Sequence, residues 1–242
     1  MSFPKPVVLG ALVFFCIFLV VSCAQNNTPA VSEYAEITED DTVIQVYAAR
    51  TWGLKGYLAV HTWLALKRAD ETEFTRYEIF GWAQYRDRNV LISSQGGHDA
   101  PWFGNTPTLL LDIRGQKARK LISKVEQAIE NYPYRNTYTL WPGPNSNTFT
   151  AYIGRQVPEL RLDLPATAIG KDYQEIKQAI GPAVSGTGFQ LNFWGLLGVT
   201  IAREEGLELN LLGLNIEFDL FDAAIELPGF GRIGRKENAF YD

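Results

Sequence analysis

The amino-acid sequence predicts an α+β fold in which an antiparallel sheet packs on two main helices and a C-terminal β-meander follows. One observation is a series of β-rich runs, Thr42–Tyr47, Tyr57–Leu66 and Arg76–Trp82, separated by glycine-bearing or polar connections. Another is a single clear helical stripe within Gln116–Asn131. The last is strict apolar/polar alternation from Gly188 onward.

The chain opens on an export segment. Lys5 precedes an unbroken apolar run, Val7–Val21, closed by Ser22 and Cys23. The run is shorter than the roughly 20 apolar residues a membrane-spanning helix needs, and the positive charge sits ahead of it, as in a secretory signal. Val20-Val21-Ser22-Cys23 resembles a bacterial lipobox, which implies cleavage before Cys23 and lipidation of its thiol. The competing reading is an uncleaved helical anchor with an incidental Cys23. Residues 1–22 are thus a lipoprotein-type signal or an anchor. Residues 23–41 are polar and acidic and read as a flexible tether. Residues 42–242 form a single globular domain, with an α+β core over 42–180 and the meander over 181–235.

Within the core, Gly53 and Gly56 suit a turn between the first two strands, and the polar stretch Lys67–Thr75 a hairpin connection. A loop rich in Gly, His and Asp, Ser93–Asn105, leads to the apolar Leu109–Leu111. In the first helix, Ala118, Leu121, Ile122, Val125 and Ile129 fall on one face, and Tyr132-Pro133 ends it. Thr137–Trp141 reads as a short strand running into Pro142-Gly143-Pro144. The second helix starts at Asn145 or Ser146, with Phe149, Ile153 and Val157 as its apolar face. In the meander, Phe189, Leu191 and Phe193 alternate with Gln190 and Asn192, and later runs repeat the pattern, which predicts a sheet with one face buried.

Composition narrows the chemistry. The only cysteines are Cys16 and Cys23, both in the export segment, so the globular part has no disulfide, no thiolate metal site and no cysteine nucleophile. With two histidines, His61 and His98, a multi-histidine metal centre is not expected, and no cofactor is implied. A net charge of −5 carries no footprint of nucleic-acid binding.

Several phrases resemble the bacterial domain of unknown function 3750: Val46–Lys67, Trp141–Leu160, Leu162–Tyr173, the SGTGFQ segment and Ala202–Gly206. The resemblance runs from about Val43 to Gly234 and implies no established activity. A more remote one is to the circularly permuted papain-like superfamily of isopeptidases, acyltransferases and amidases. There a strand histidine comes first and an Asn-Cys-Asn-x-Phe-like motif opens the nucleophile helix. His61 and Asn145-Ser146-Asn147-Thr148-Phe149 follow that order, with Ser146 in place of the cysteine.

That resemblance implies Ser146 as nucleophile and His61 as base. A helix N-terminus favours a developing anion, and a strand histidine can serve as general base. A serine needs a well-oriented histidine, and Glu78 on the next strand is the first candidate for the orienting carboxylate, Asp99 the second. Asn145, Asn147, Trp63 and Trp141 are candidate binding residues. Each has a plain alternative. Asn145 or Ser146 can be a helix cap, His61 a hydrogen-bonded core histidine, Asn147 a brace, and the tryptophans core or groove walls. The Gly181–Gly188 stretch lacks the lysine and helix of a phosphate loop.

The expectation is therefore a membrane-anchored cell-envelope protein, its domain outside the cytoplasm. It acts as a serine-using or degenerate papain-like hydrolase or acyltransferase on an amide or ester. The alternative is a non-catalytic binding or scaffolding lipoprotein. Expected partners are a membrane, through the lipidated N-terminus, and peptidoglycan, a lipid or an envelope protein.

Overall fold

The computed structural model describes residues 37–38, 41–86, 88–219 and 223–234. The stretches read from the sequence as an export segment and most of a tether, Cys23 included, lie outside the described residues. Thr38 and Asp41, placed in the tether by sequence, are already fastened to the domain, because Lys67 Nζ donates to both of their carbonyls at 3.3 Å. No helix among the described residues is long and apolar enough to cross a membrane.

The architecture is α+β. A five-stranded antiparallel sheet is built from β1 (Val43–Arg50), β2 (Val60–Lys67), β3 (Thr75–Ile79), β4 (Leu91–Gln95) and β5 (Thr108–Arg114), in the order β4-β3-β2-β1-β5. Two helices follow it, α1 (Gly115–Glu130) and α2 (Ser146–Gln156). α1 packs on β1 and β5, and α2 on β2 and β3. One core joins them: Ile44, Val46 and Leu64 from the sheet meet Leu121, Ile122 and Val125 of α1 and Phe149 and Ile153 of α2. Complete burial of a side chain of this size contributes about 1.5–3 kcal/mol, so the helical stripes are what hold the sheet.

Three local expectations are corrected. Gly53–Tyr57, between β1 and β2, is a 3-10 helix rather than a simple turn. The third strand ends at Ile79, and Gly81–Arg86 is also 3-10, opened by Ala83 N–H donating to Phe80 O at 3.0 Å, with the Tyr138 ring packed where a Cβ at Gly81 would stand. Thr137–Trp141 forms no strand. It is an irregular approach to α2 held by Thr139 N–H donating to Pro144 O at 2.8 Å, and both Trp141–Pro142 and Gly143–Pro144 are cis. A strand absent from the sequence reading, β4, pairs with β3 along its whole length.

The C-terminal sheet has seven antiparallel strands: β6 (Ile180–Pro182), β7 (Gly188–Phe193), β8 (Leu197–Ala202), β9 (Gly206–Leu211), β10 (Leu214–Asp219), β11 (Ala224–Leu227) and β12 (Gly231–Ile233), each beside its sequence neighbour. It is the expected meander, but the buried face is the polar one. Gln190, Thr200, Glu208 and Glu217 stand in one cross-strand row and are buried, as are Asn192, Asn210 and Asn215 in the next. The apolar residues face outward. One row runs Phe189, Ile201, Leu207, Phe218, Ile225 and Ile233, and another Leu191, Val199, Leu209 and Ile216. Alternation sets which residues share a face and is blind to which face the rest of the chain covers.

What covers the polar face is the Gly170–Asp172 segment, with Arg155 from α2. Asp172 Oδ2 accepts from Asn215 Nδ2 (2.7 Å) and Asn210 Nδ2 (3.0 Å), and Oδ1 accepts from Gln190 Nε2 (2.8 Å). Lys171 Nζ donates to Glu208 Oε2 at 2.6 Å. Burial opposes charge on both Lys171 and Asp172. The adjacent carboxylates nevertheless raise the lysine, and Lys171 with Arg155 lowers the aspartate, so this pair stays ionic. Glu208 competes for the same cation, and burial pushes its carboxyl up to about 7 against the pull of Lys171. We take the Lys171–Asp172 pair as fully charged and Glu208 as the group that holds a proton more readily.

Candidate active site

The candidate site lies where the N-terminus of α2 meets the start of β2. A buried capping box opens the helix. Asn145 Oδ1 accepts from the amides of Asn147 (2.9 Å) and Thr148 (3.1 Å), and Thr148 Oγ1 accepts from the Asn145 amide (3.0 Å). Asn145 is therefore the cap, and Ser146 is the first helical residue, its hydroxyl free of that duty. Asn145 Nδ2 donates to Leu140 O and Ile169 O, which draws the flanking loops onto the helix start. The Asn145 side chain leaves no room at Gly170, where an added Cβ would lie 2.3 Å from its Nδ2.

Asn147 braces the helix to the sheet. Its Nδ2 donates to Val60 O (3.0 Å) and Ile169 O (2.8 Å), and its Oδ1 accepts from Thr62 Oγ1 (3.0 Å). Both amides are thus engaged within the protein while also lining the cavity. Among the described residues, the Ser146 hydroxyl has no hydrogen-bond partner, and none joins it to His61.

On the sheet, His61 Nε2 stands 3.1 Å from Glu78 Oε2, both buried. Arg76 Nη2 donates to the same carboxylate oxygen at 2.8 Å. A carboxylate beside a guanidinium is an acceptor, so His61 carries its proton on Nε2 and presents the Nδ1 lone pair. Burial pushes the imidazole below its ordinary value, against the pull of Glu78, so the ring is neutral at pH 7. The Trp102 ring stacks on His61 with centroids 3.7 Å apart, and Arg76 lies over the Trp63 ring at 4.0 Å. Glu78 thus holds the imidazole at one edge and Trp102 covers one face.

His61 and Ser146 line one cavity of about 300 Å³, together with Asn145, Asn147 and a wall of aromatic and apolar residues that includes Trp52, Leu58, Trp102, Phe103 and Trp141. Trp141 is half-exposed and donates from Nε1 to Leu212 O at 3.0 Å. Trp63 is not part of that lining. It is fully buried, with Nε1 donating to His98 O at 2.7 Å. His98 stacks on Phe74 and stands 3.9 Å from Asp99, whereas the carboxylate hydrogen-bonded to His61 is Glu78. Among the described residues, no group of three or more His, Cys, Asp or Glu is arranged to hold a metal.

Sequence reasoning missed Arg76 and Trp102. Arg76-Tyr77-Glu78 carried a usable signal, since residues two apart on a strand share a face. Trp102 carried none, because a loop residue is positioned only by the fold.

A family model described as "Protein of unknown function (DUF3750)" matches residues 41–173 of the 242-residue chain. The chain belongs to the DUF3750 family. No curated protein and no solved structure matches it. The DUF3750 match takes in His61, Arg76, Glu78, Trp102 and Ser146, and so the whole candidate site. It stops at Tyr173, just past the Lys171–Asp172 pair and short of the Gly234 expected from the sequence phrases. The meander beyond it rests on a generic alternating pattern.

Proposed function

We propose that this DUF3750 protein is an envelope hydrolase or acyltransferase, held at a membrane by its N-terminal segment and acting on an amide or ester through Ser146. The observation that carries the reading is a neutral, carboxylate-oriented histidine sharing a cavity with a helix-start serine whose hydroxyl has no hydrogen-bond partner among the described residues. The order of strand histidine before nucleophile helix is that of a permuted papain-like core.

In this mechanism Ser146 Oγ attacks the substrate carbonyl carbon and its proton passes to His61 Nδ1. Glu78 holds the imidazole and stabilises the imidazolium that forms. His61 then returns the proton to the leaving group as the carbonyl–heteroatom bond breaks. Water or a second acceptor repeats the sequence on the acyl-enzyme. The positive end of α2 stabilises the anionic intermediate, and the Ser146 amide is not consumed by the cap. Of the candidate substrates, a lipid acyl ester best suits the apolar wall.

A second reading, a domain that binds such a group without cleaving it, is favoured by the absence of a His61–Ser146 hydrogen bond among the described residues. A serine-reactive fluorophosphonate separates the two. Labelling of the full chain that disappears in Ser146→Ala supports catalysis, and labelling indifferent to that substitution removes the nucleophile.

A further inference from the structure

The outward face of the seven-stranded sheet is unusual in chemistry. Its cross-strand rows contain no charged side chain and no side-chain hydrogen-bonding group. Phe189, Ile201 and Leu211 are 76%, 65% and 64% exposed. Seven strands at the usual spacing span about 29 Å, which with strand length makes a footprint on the order of 500 Å². Monomeric proteins seldom expose a contiguous apolar patch that large without using it to bind a partner or a membrane.

We propose that this face rests on the hydrocarbon of a phospholipid bilayer. Protein interfaces ask for about one hydrogen bond per 100–200 Å², and the side chains of these rows offer none, whereas acyl chains ask for none. The two ends of the sheet also differ. The β7–β8, β9–β10 and β11–β12 turns share one end and expose Trp194, Leu212 and Phe230, while Arg203 and Glu204 sit at the other. Aromatic side chains at one rim are what a membrane–water boundary favours. Outside the described residues, the chain's Val7–Val21 run, with Lys5 ahead of it, has the pattern of a membrane-directed segment. The sheet lies on the bilayer and does not cross it, because among the described residues it is an open sheet with β6 and β12 at its edges, and hydrocarbon excludes an open sheet edge. Absence of cations on the face makes the contact independent of lipid charge. The inference goes beyond the catalytic reading and does not rely on Ser146.

The test uses the full chain in phosphatidylcholine vesicles doped with a diazirine-acyl phosphatidylcholine, followed by photolysis and peptide mapping. Expected are lipid adducts on the Phe189–Ile201 and Leu207–Ile216 peptides, unchanged between about 0.1 M and about 1 M salt. Leu209→Glu with Ile216→Glu, both at exposed positions, lowers those adducts about ten-fold or more with the melting temperature unchanged, while labelling of the N-terminal segment in the same sample stays constant. Adducts confined to the N-terminal segment overturn the proposal. So do adducts that fall with salt, or a sedimenting dimer whose intermolecular crosslinks cover the same rows, which would assign the face to a second copy of this chain.

Discussion

His61 and Glu78 form a buried hydrogen-bonded pair, Nε2 to Oε2 at 3.1 Å, that leaves the other imidazole nitrogen without a hydrogen-bond partner among the described residues. The pair ties the second and third strands together beneath the cavity, and Arg76 donating to the same oxygen holds the carboxylate in place. If that orientation matters chemically, its loss should be felt at Ser146. Glu78→Gln is expected to slow fluorophosphonate labelling of Ser146 by about 100-fold while leaving the far-ultraviolet circular dichroism unchanged. Equal labelling rates would remove Glu78 from the mechanism.

The same pair predicts a pH profile. Burial depresses the His61 pKa below the ordinary 6.5. Labelling should rise with pH through a value under 6.5 and be flat by pH 7. For stability the sign is that of a depressed cation: the folded state binds fewer protons than the unfolded, so its contribution is present above 6.5 and is lost as pH falls toward the folded value. His61→Gln should therefore narrow the gap in urea midpoints between pH 7 and pH 5, measured against the parent chain.

At the helix start, Asn145→Ala removes two amide acceptor contacts and two donor contacts at once. A cap of this kind contributes about 1–2 kcal/mol, which urea unfolding would register. A change well below that would mean the loops re-close without it.

Under the meander, Lys171→Met removes the cation that Glu208 binds and leaves Asp172 with Arg155 alone. The expected cost is about 3–5 kcal/mol at neutral pH, partly recovered by adding Glu208→Gln. Glu208 itself is raised to about 7, so its folded form holds a proton that the unfolded form releases near 4.5. Its effect on stability thus falls as pH rises from 4.5 through 7, opposite to His61, and Glu208→Gln should flatten that part of the curve.

At the N-terminus, Cys23→Ser is expected to abolish incorporation of labelled palmitate in a bacterial host. Continued incorporation, or an N-terminus left intact in the parent chain, would replace the lipoprotein reading with an uncleaved anchor.

Helix α1 is legible in the sequence because Ala118, Leu121, Ile122, Val125 and Ile129 recur at the helical period and all are buried. The helix start at Asn145–Ser146 is legible from cap chemistry, and the meander from its alternation. Those are local signals: period, cap and turn each act over a few residues. Which of Asn145 and Ser146 is the cap is not local, since it depends on Leu140 and Ile169 carbonyls closing over the asparagine. Nor is the placing of Trp102 on His61, which a loop accomplishes across the sheet.

The sheet at the C-terminus shows the division most sharply. Period two dictates that Leu209 and Glu208 point to opposite sides, and no more than that. The side that is covered follows from Lys171, Asp172 and Arg155, distant in sequence, arriving under the strands with charges and amides that match the polar row. A buried ionic cluster is stable only when nearly every group in it is paired, so the tertiary structure, and not the alternation, turned the apolar face outward.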